Sequence, residues 1–291
     1  MYPKILVPVK LTLAFDSFME YLSSVEELGI QEVHLVNVLQ VKDPVDAEIL
    51  ASLESEAFER EKKIWAEKGI RVVTHAPFGR FHEEINRIAD KEGIDVIVTC
   101  SLAESLIYEL ILDPMADNLV RNARHPVLTL SCHLGGERKE VQYPIRGANL
   151  FKKILFPTDF SDNAEHALDT VVKTIVKKTG AGVRLLHVQE HKRIHPHLTD
   201  RLAEFNQIDT ERLERIKTEL LADGASEVTY TIVEGHAALV ILDEIARTQP
   251  TLVVMGNQGR GRIHELFIGS VAHHVVRQAP APVLLIPWRE K

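Results

Sequence analysis

"KILVPVK", residues Lys4–Lys10, returns in the second half of the chain as "KILFPTD", residues Lys153–Asp159. Three further runs return in the same order: "VHLVNV" (33–38) as "VRLLHV" (183–188), "IDVIVT" (94–99) as "PTLVVM" (250–255), and "HPVLTL" (125–130) as "APVLLI" (281–286). Over residues 79–126 the second copy follows at a constant offset of 156 residues. Repeated runs in one order predict two homologous units.

The stretch between the two copies, residues 131–149, contains glycines, a proline and many charges, a composition typical of an exposed linker. We therefore expect a first domain over residues 1–133, a linker over 134–149 and a second domain over 150–291. The chain has 291 residues, so each half is long enough to bury its own core.

Within each copy, short apolar runs alternate with longer segments whose apolar residues recur at helical spacing. This alternation predicts a parallel sheet covered by helices on both faces. The expected fold class is therefore α/β, with two tandem doubly wound domains of five parallel strands each. For the second copy we predict strands near Ile154–Phe156, Val183–Val188, Glu227–Val233, Leu252–Met255 and Val283–Ile286. Its helices are predicted near Ala164–Lys178, Leu198–Ala222, Ala237–Arg247 and Val271–Gln278.

Composition and charge narrow the classes of protein to which the chain can belong. A net charge of −8 and the lack of a Lys/Arg run argue against a nucleic-acid-binding protein. No run reaches the roughly 18 apolar residues of a membrane span, and Pro8, Lys10 and Asp16 interrupt the apolar run that a signal peptide needs. Cys100 and Cys132 are too few for a disulfide framework. We expect a cytoplasmic protein that binds neither nucleic acid nor membranes.

A glycine motif, "MGNQGRGRIHELFIGS" (residues 255–270), follows an apolar run. A doubly wound sheet binds ligands beyond the carboxyl ends of its strands, where this motif is expected to lie. Because Gly256 and Gly259 have no Cβ, they allow positive φ and close approach of a ligand to backbone N–H groups. The motif is not a P-loop, because the chain contains no G-x-x-x-x-G-K-[ST].

The end of the motif is expected to begin a helix. Ser270 is placed to cap a helix that starts near Val271, with Gly269 before it, and the N-terminus of a helix binds anions. Two such segments around a short helix, Arg262–Ile268, suit consecutive phosphates. The residues alone leave two alternatives open, a phosphate site and a plain strand-to-helix turn.

The spacing Gly256-x2-Gly259-x9-Gly269-Ser270 resembles the nucleotide-binding signature G-x2-G-x9-G-[S/T] of the universal stress protein family. "KILFPTDFSDNAEHAL" (153–168) is similar to that family's first strand and following helix, and "PVLLIP" (282–287) to its last strand. The resemblance covers the chain as two tandem copies, with the signature in the second copy only. It implies a strand order of 3-2-1-4-5 in each domain and an ATP pocket between the first and fourth strands.

The resemblance also implies roles for residues of the second copy. Asp159 would contact the ribose or the adenine, and the backbone at Val188 would meet the adenine. The pocket would further be lined by Pro157, Thr158, Met255, Gly256, Gln258 and Gly259, with Arg260 close enough to screen phosphate charge. Gly269 and Ser270 would hold phosphate. The implied ligand is ATP, with or without Mg²⁺, and the implied role is stress survival and signalling by binding rather than fast catalysis.

The first copy lacks the residues on which this pocket depends. At the aligned positions Cys100 replaces Gly256, Ala103 replaces Gly259, Asp113–Pro114 replaces Gly269–Ser270, and Lys10 replaces Asp159. A Cβ at Ala103 penalises a left-handed backbone, Asp113 repels phosphate, and Pro114 has no N–H to donate. We therefore predict one nucleotide site per chain. The first copy is either a structural partner or holds a different ligand in a pocket lined by Lys10, His34, Cys100 and Asp113.

The resemblance further implies how the copies associate. Single-domain relatives pair through their last strands, so Val127–Leu130 and Val283–Ile286 are expected to pair within this chain as an intramolecular pseudo-dimer. Such pairing protects two apolar edge strands from aggregation. Formation of a homodimer by the tandem chain is left open.

A histidine-rich stretch, "HVQEHKRIHPH" (187–197), offers a second kind of site. His191, His195 and His197 would bind zinc or nickel if a loop brought them together; the alternative is a solvated loop after the second strand. No Ser-His-Asp or Cys-His arrangement indicates catalytic residues. The leading hypothesis is an ATP-binding stress-response regulatory protein with unidentified protein partners. The alternatives are a slow nucleotide hydrolase or adenylating transferase, and a small-molecule or protein interaction module that uses the altered first pocket.

Overall fold

The computed structural model describes residues 1–9, 14–39, 58–59, 62–102, 114–135, 140–142, 150–190, 202–259 and 268–288. The chain divides into two compact units, Met1–Ala148 and Asn149–Lys291. Each unit is an α/β fold around a mostly parallel sheet. None of the helices in the described ranges is both long enough and apolar enough to cross a membrane.

The first unit is built on five parallel strands in the order β3-β2-β1-β4-β5. The strands are β1 (Lys4–Pro8), β2 (Glu32–Val36), β3 (Arg71–His75), β4 (Val96–Leu102) and β5 (Val127–Gly135). Its helices are α1 (Ala14–Ser24), α2 (Phe81–Glu92) and α3 (Pro114–Asn122), with a 3₁₀ turn at Glu26–Leu28 and helical residues at 62–67. A short strand, β6 (Glu140–Gln142), pairs antiparallel with the end of β5. The segment predicted to be a linker, residues 134–149, therefore contains one strand.

The second unit has the same topology, with its strands in the order β9-β8-β7-β10-β11. The strands are β7 (Lys153–Pro157), β8 (Gly182–Gln189), β9 (Val228–Glu234), β10 (Leu252–Gly256) and β11 (Val283–Ile286). The helices are α4 (Asp162–Ala167), α5 (Lys173–Thr179), α6 (Leu202–Ala222), α7 (Ala237–Thr248) and α8 (Ser270–Gln278). A five-residue π turn, Leu168–Val172, joins α4 to α5. The predicted strand order of 3-2-1-4-5 is confirmed in both units.

The central strands of the second unit are buried along their length, as their apolar sequences predict. Every residue of β10 and of β11 is buried, and β7 is buried from Ile154 to Pro157. Such strands need cover on both faces, which the helices provide. Because β7 pairs with β8 on one side and with β10 on the other, the chain reverses direction across the sheet at β7 and β10. The carboxyl ends of these two strands form the switch point at which doubly wound folds bind ligands.

Candidate functional site

The turn after β7 presents Asp159 at the switch point. Thr158 is buried, and its N–H donates to the carbonyl of Leu186 in β8 (2.8 Å). Its hydroxyl accepts from the N–H of Phe160 (3.1 Å), which holds Phe160 at a φ of 56°, rare for a residue with a side chain. Oδ1 of Asp159 accepts from the N–H of Ser161 (3.0 Å), and Ser161 caps α4 through the N–H of Ala164 (3.3 Å). The Asp159 carboxylate is thus held by local hydrogen bonds.

The glycine motif packs directly against this turn. A Cβ on Gly256 would lie 2.9 Å from Cγ of Asn163, and a Cβ on Gly259 would lie 2.8 Å from Oδ2 of Asp159. Neither glycine has a positive φ, and Gly269 has a φ of −64°. The left-handed backbone that glycine allows is therefore not used here; instead, neighbouring side chains fill the space of a Cβ at Gly256 and Gly259. The same finding removes the left-handed argument made for Ala103.

The far end of the motif returns to its beginning. The N–H of Gly269 donates to the carbonyl of Asn257 (2.7 Å), and a Cβ on Gly269 would lie 3.7 Å from the backbone nitrogen of Gly259. The two glycine segments are therefore neighbours. Arg260 and the predicted short helix Arg262–Ile268 lie outside the described residues.

Helix α8 begins one residue earlier than predicted. Gly269 is the N-cap, with φ −64° and ψ 147°, and its carbonyl accepts the first helical hydrogen bond from the N–H of His273 (3.0 Å). Ser270 is exposed and is the first helical residue, so the expectation that it caps the helix was wrong. The reason is the bond from the Gly269 N–H to Asn257, which fixes Gly269 in extended backbone. At the first position of the helix, the N–H of Ser270 still has no partner within α8.

Two asparagines that the sequence did not single out join the turn to the glycine motif. The amide of Asn163, which is 5% exposed, faces the N–H groups of Gln258 (2.9 Å) and Asn257 (3.2 Å) and the carbonyl of Ile286 (3.2 Å). Hydrogen bonding assigns its Oδ1 to the N–H groups and its Nδ2 to the carbonyl. With that assignment Oδ1 of Asn163 also lies 2.8 Å from the side-chain amide of Asn257, whose Nδ2 must then face it and donate. A comparison of the two copies could have drawn attention to these asparagines. The aligned residues of the first copy, Ala14 and Ser101, carry no amide, so the asparagines occur only in the copy that has the glycine motif.

A further group lies beneath the Asp159 turn. His187 is 4% exposed; its Nδ1 lies 2.8 Å from the carbonyl of Thr158, to which it donates, and its Nε2 lies 3.3 Å from Oδ2 of Asp209 on α6. The ring of Phe160 packs on that of His187 (4.6 Å between centroids), and Cζ of Arg212 lies 5.2 Å from the Phe160 centroid. These contacts tie α6 to the turn. Val188, the next residue of β8, is half-buried at the same end of the sheet.

Comparison with known proteins decides the family. The model of the universal stress protein family matches residues 1–131 and 150–287. The chain belongs to the universal stress protein family. Because the family model matches twice, the two repeats are tandem universal stress protein domains.

Relatives and solved structures agree with this assignment. A universal stress protein of Thermus aquaticus is 34% identical over 139 residues, which cover 47% of this chain and 99% of that protein. One from Methanocaldococcus jannaschii is 32% identical over 158 residues, covering 47% and 95%. The crystal structure of a universal stress protein from Archaeoglobus fulgidus covers 98% of this chain and 97% of its own, with a TM-score of 0.73 at 21% identity. That likeness supports the fold alone.

In the first universal stress protein domain, the structure describes two of the four residues proposed for an altered pocket, His34 and Cys100. Lys10, Ala103 and Asp113 lie outside the described residues. His34 is fully buried in the middle of β2, where its Nδ1 lies 2.9 Å from Nε2 of His75 and its Nε2 lies 2.7 Å from Oε1 of Glu32. Strand β1 separates β2 from β4, which carries Cys100. His34 is thus engaged by groups on β2 and β3, and a pocket that it shares with Cys100 stays a prediction.

The predicted metal ligands His191, His195 and His197 also lie outside the described residues. Within the ranges that the structure does describe, no group of three or more His, Cys, Asp and Glu side chains is arranged to hold a metal ion. Metal binding by the histidine-rich stretch of this universal stress protein therefore stays a prediction.

Proposed function

We propose that this universal stress protein is an ATP-binding stress-response regulator with one nucleotide site, in its second unit. Nucleotide binding sets its conformation or its choice of protein partner. The observation that carries the proposal is the packing of the "PTD" turn against the first end of the glycine motif, with the second end beside the first. Oδ2 of Asp159 occupies the space beside Gly259, and Gly269 lies beside Gly259 in turn.

Each part of this edge has a physical role in the proposal. The first N–H groups of α8, beginning at Ser270, lack partners inside the helix and carry the positive end of its dipole, so they suit phosphate oxygens. Asp159 contacts the ribose or the adenine, and the backbone of Val188 meets the adenine. Pro157, Thr158, Met255, Gly256 and Gln258 form the wall behind them. Arg260 supplies positive charge near the phosphates.

The proposal assigns no such site to the first unit. Ala103 and Lys10 replace the Gly259–Asp159 pair, so the close approach seen in the second unit has no counterpart in the sequence. Pro114 begins α3 at the place where α8 presents the N–H of Ser270, and proline has none. Asp113 adds a negative charge before it.

The proposal is one of binding rather than rapid hydrolysis. Hydrolysis needs a water held by a base, and phosphoryl transfer usually needs a metal as well. The carboxylate that the described residues place against the motif is that of Asp159, which accepts from the N–H of Ser161 and is assigned to the nucleoside. ATP, alone or with Mg²⁺, is therefore treated as a ligand.

Calorimetric titration of nucleotide-free protein with ATP tests the proposal. Wild type is expected to bind one ATP per chain, and Gly269→Asp/Ser270→Pro, which writes the first copy's residues into the second, is expected to bind none. Proline is well tolerated at the first position of a helix, so the double variant should fold and lose only the N–H donor and the neutral N-cap. Ala103→Val is the matched control and should bind as wild type does. Absence of heat in nucleotide-free wild type would contradict the proposal.

A further inference from the structure

Asn257 joins four segments of the second unit. Its N–H donates to the carbonyl of Ile286 at the end of β11 (3.0 Å), and its carbonyl accepts from the N–H of Gly269 (2.7 Å). Its side-chain amide contacts that of Asn163 in α4 (2.8 Å) and lies 3.3 Å from the N–H of Trp288. One residue of the glycine motif thus contacts the last strand, the start of α8, the start of α4 and the segment after β11.

Asn163 anchors this arrangement to the rigid part of the fold. It lies in the first turn of α4, next to the cap residue Ser161, and its amide is buried. With its Oδ1 accepting from the N–H of Gln258 and its Nδ2 donating to Ile286, all of its polar atoms face protein groups. The absent side chain of Gly256 leaves the space that the Asn163 amide fills. The amide is therefore built into the fold and does not face a ligand.

The two copies of the repeat differ at both amides. Asn163 aligns with Ala14 and Asn257 with Ser101, so the copy without the glycine motif also lacks the pair. A pair needed only to hold strands and helices together would serve both copies equally, because their topology is the same. The pair instead accompanies the glycine motif.

We propose that the Asn163–Asn257 pair closes the two ends of the glycine motif and so positions the phosphate-binding N–H groups. The inference rests on the proposed nucleotide site. The pair fixes the backbone at 257–258, and the carbonyl of Asn257 then holds Gly269 at the start of α8. Asn163 and Asn257 are positioning residues: they act on phosphate through the backbone that they fix, and they touch neither the ribose nor the adenine.

Comparison of ATP with adenosine tests this role. Asn257→Ser, which introduces the residue of the first copy, is expected to raise the Kd for ATP about tenfold, the effect of one or two neutral hydrogen bonds. The Kd for adenosine is expected to change by less than about twofold, because Asp159 and Val188 are left in place. Asn163→Ala should have the same effect, and the double variant should lose little more than either single one, since both act through one contact. Equal losses for ATP and adenosine, or none, would overturn the proposal.

A measurement without nucleotide separates this inference from the proposed function. Hydrogen exchange at the N–H of Gly269 reports on its bond to the Asn257 carbonyl. This N–H is expected to exchange at least about tenfold faster in Asn257→Ser than in wild type, while amides in β7 and β8 keep their protection. If wild type bound no ATP, the proposed function would fail and the exchange at Gly269 would still decide the positioning role. Unchanged exchange at Gly269 would refute it.

Discussion

At the scale of single residues, the carboxylate of Asp159 occupies the space that a side chain at position 259 would take. A methyl group there would lie 2.8 Å from Oδ2 of Asp159, closer than van der Waals contact allows, so Asp159 must move. Because the displaced atom ends a short side chain, Gly259→Ala is expected to cost less than about 1 kcal/mol of unfolding free energy. The same movement is expected to weaken ATP binding at least about tenfold, measured by calorimetric titration.

Gly182→Ala is the control for that substitution. Gly182 begins β8 at the other end of the sheet, and a Cβ there would meet its nearest neighbour, Oγ of Ser226, at an ordinary 3.6 Å. It should bind ATP as wild type does. If Gly259→Ala also bound ATP with unchanged affinity, the contact with Asp159 would have no part in binding.

The contacts of single residues were the part of the site that the sequence did not predict. Spacing alone placed Gly256, Gly259 and Gly269 at the carboxyl edge of the sheet. It did not show that two of them leave room for Asn163 and Asp159, because that space depends on tertiary packing. Asn163 and Asn257 are 94 positions apart and meet only through the parallel pairing of β7 with β10. Neither residue belongs to a local pattern that would have announced the contact.

At the scale of elements, an ion-pair network joins α7 to β8. Glu244 is 6% exposed, and its carboxylate accepts from the guanidinium groups of Arg184 and of Arg247 (2.7 Å). Burial alone would raise the pKa of Glu244, but the two guanidinium groups outweigh it and hold that pKa below its usual value. A carboxyl whose pKa is lowered by folding adds stability at neutral pH that is lost as the pH falls.

Glu244→Gln is therefore expected to lower the free energy of unfolding by about 2 kcal/mol at pH 7. Below about pH 5 the difference from wild type should shrink, because the unfolded wild-type chain then takes up the proton before the folded chain does. Urea unfolding of both proteins at pH 7 and pH 4 measures the loss of stability and its decrease at low pH. Glu211→Gln, at an exposed side chain on α6, is the control, and an equal effect from it would rule out the network as the cause.

In the first unit, β2 and β3 are linked by a chain of ring nitrogens. The Glu32 carboxylate accepts from Nε2 of His34, and Nδ1 of His34 lies 2.9 Å from Nε2 of His75. Burial and then the His34 ring hold the pKa of His75 below its ordinary value, with Lys91 and Arg87 adding to the effect and Glu92 opposing it. The folded chain thus disfavours the protonated form, which the unfolded chain takes up freely.

The lowered pKa of His75 determines how the stability of the fold changes with pH. A histidine whose pKa is lowered by folding destabilises the fold as the pH drops below its unfolded value, over roughly pH 7 to 5. His75→Gln keeps a donor to His34 and cannot titrate, so its thermal unfolding midpoint should fall less than that of wild type over this range. Midpoints measured at pH 7.5, 6.5 and 5.5 provide the comparison. Parallel curves for the two proteins would show that folding does not lower the pKa of His75.

At the scale of elements, the sequence was a better guide than at the scale of residues. Predicted strands at Ile154–Phe156 and Val183–Val188 became Lys153–Pro157 and Gly182–Gln189, because buried apolar runs locate strands well. The start of α8 was missed by one residue, since it depends on a hydrogen bond from Asn257 rather than on the preference of serine for an N-cap. Strand β6 lies in a charged stretch that has no alternating apolar pattern, so the sequence did not predict that it pairs with β5.

For the whole molecule, the prediction is a response to ATP confined to one unit. A ligand at 100 times its Kd that binds only the folded state stabilises that state by about 2.7 kcal/mol. Hydrogen exchange with and without ATP is expected to slow in the β7–α4 turn, in 256–259 and at the start of α8. The aligned segments of the first unit, including 96–102, should exchange at unchanged rates. Equal slowing of exchange in both units would contradict the one-site proposal. The pairing of Val127–Leu130 with Val283–Ile286 is a separate prediction, which this experiment does not test.

The π turn at Leu168–Val172 bears on the history of the tandem chain. Lys153 and Val183 are 30 positions apart, whereas their counterparts Lys4 and Val33 are 29 apart, so the second copy holds one extra residue between its first two strands. A π turn takes up a single inserted residue as a local bulge while the helix continues on either side. The insertion is thus absorbed within one turn, and β8 still delivers His187 and Val188 to the edge where Asp159 lies. The first two strands of each unit therefore keep equivalent pairing, Lys4 with Glu32 and Lys153 with Gly182, despite the difference in length.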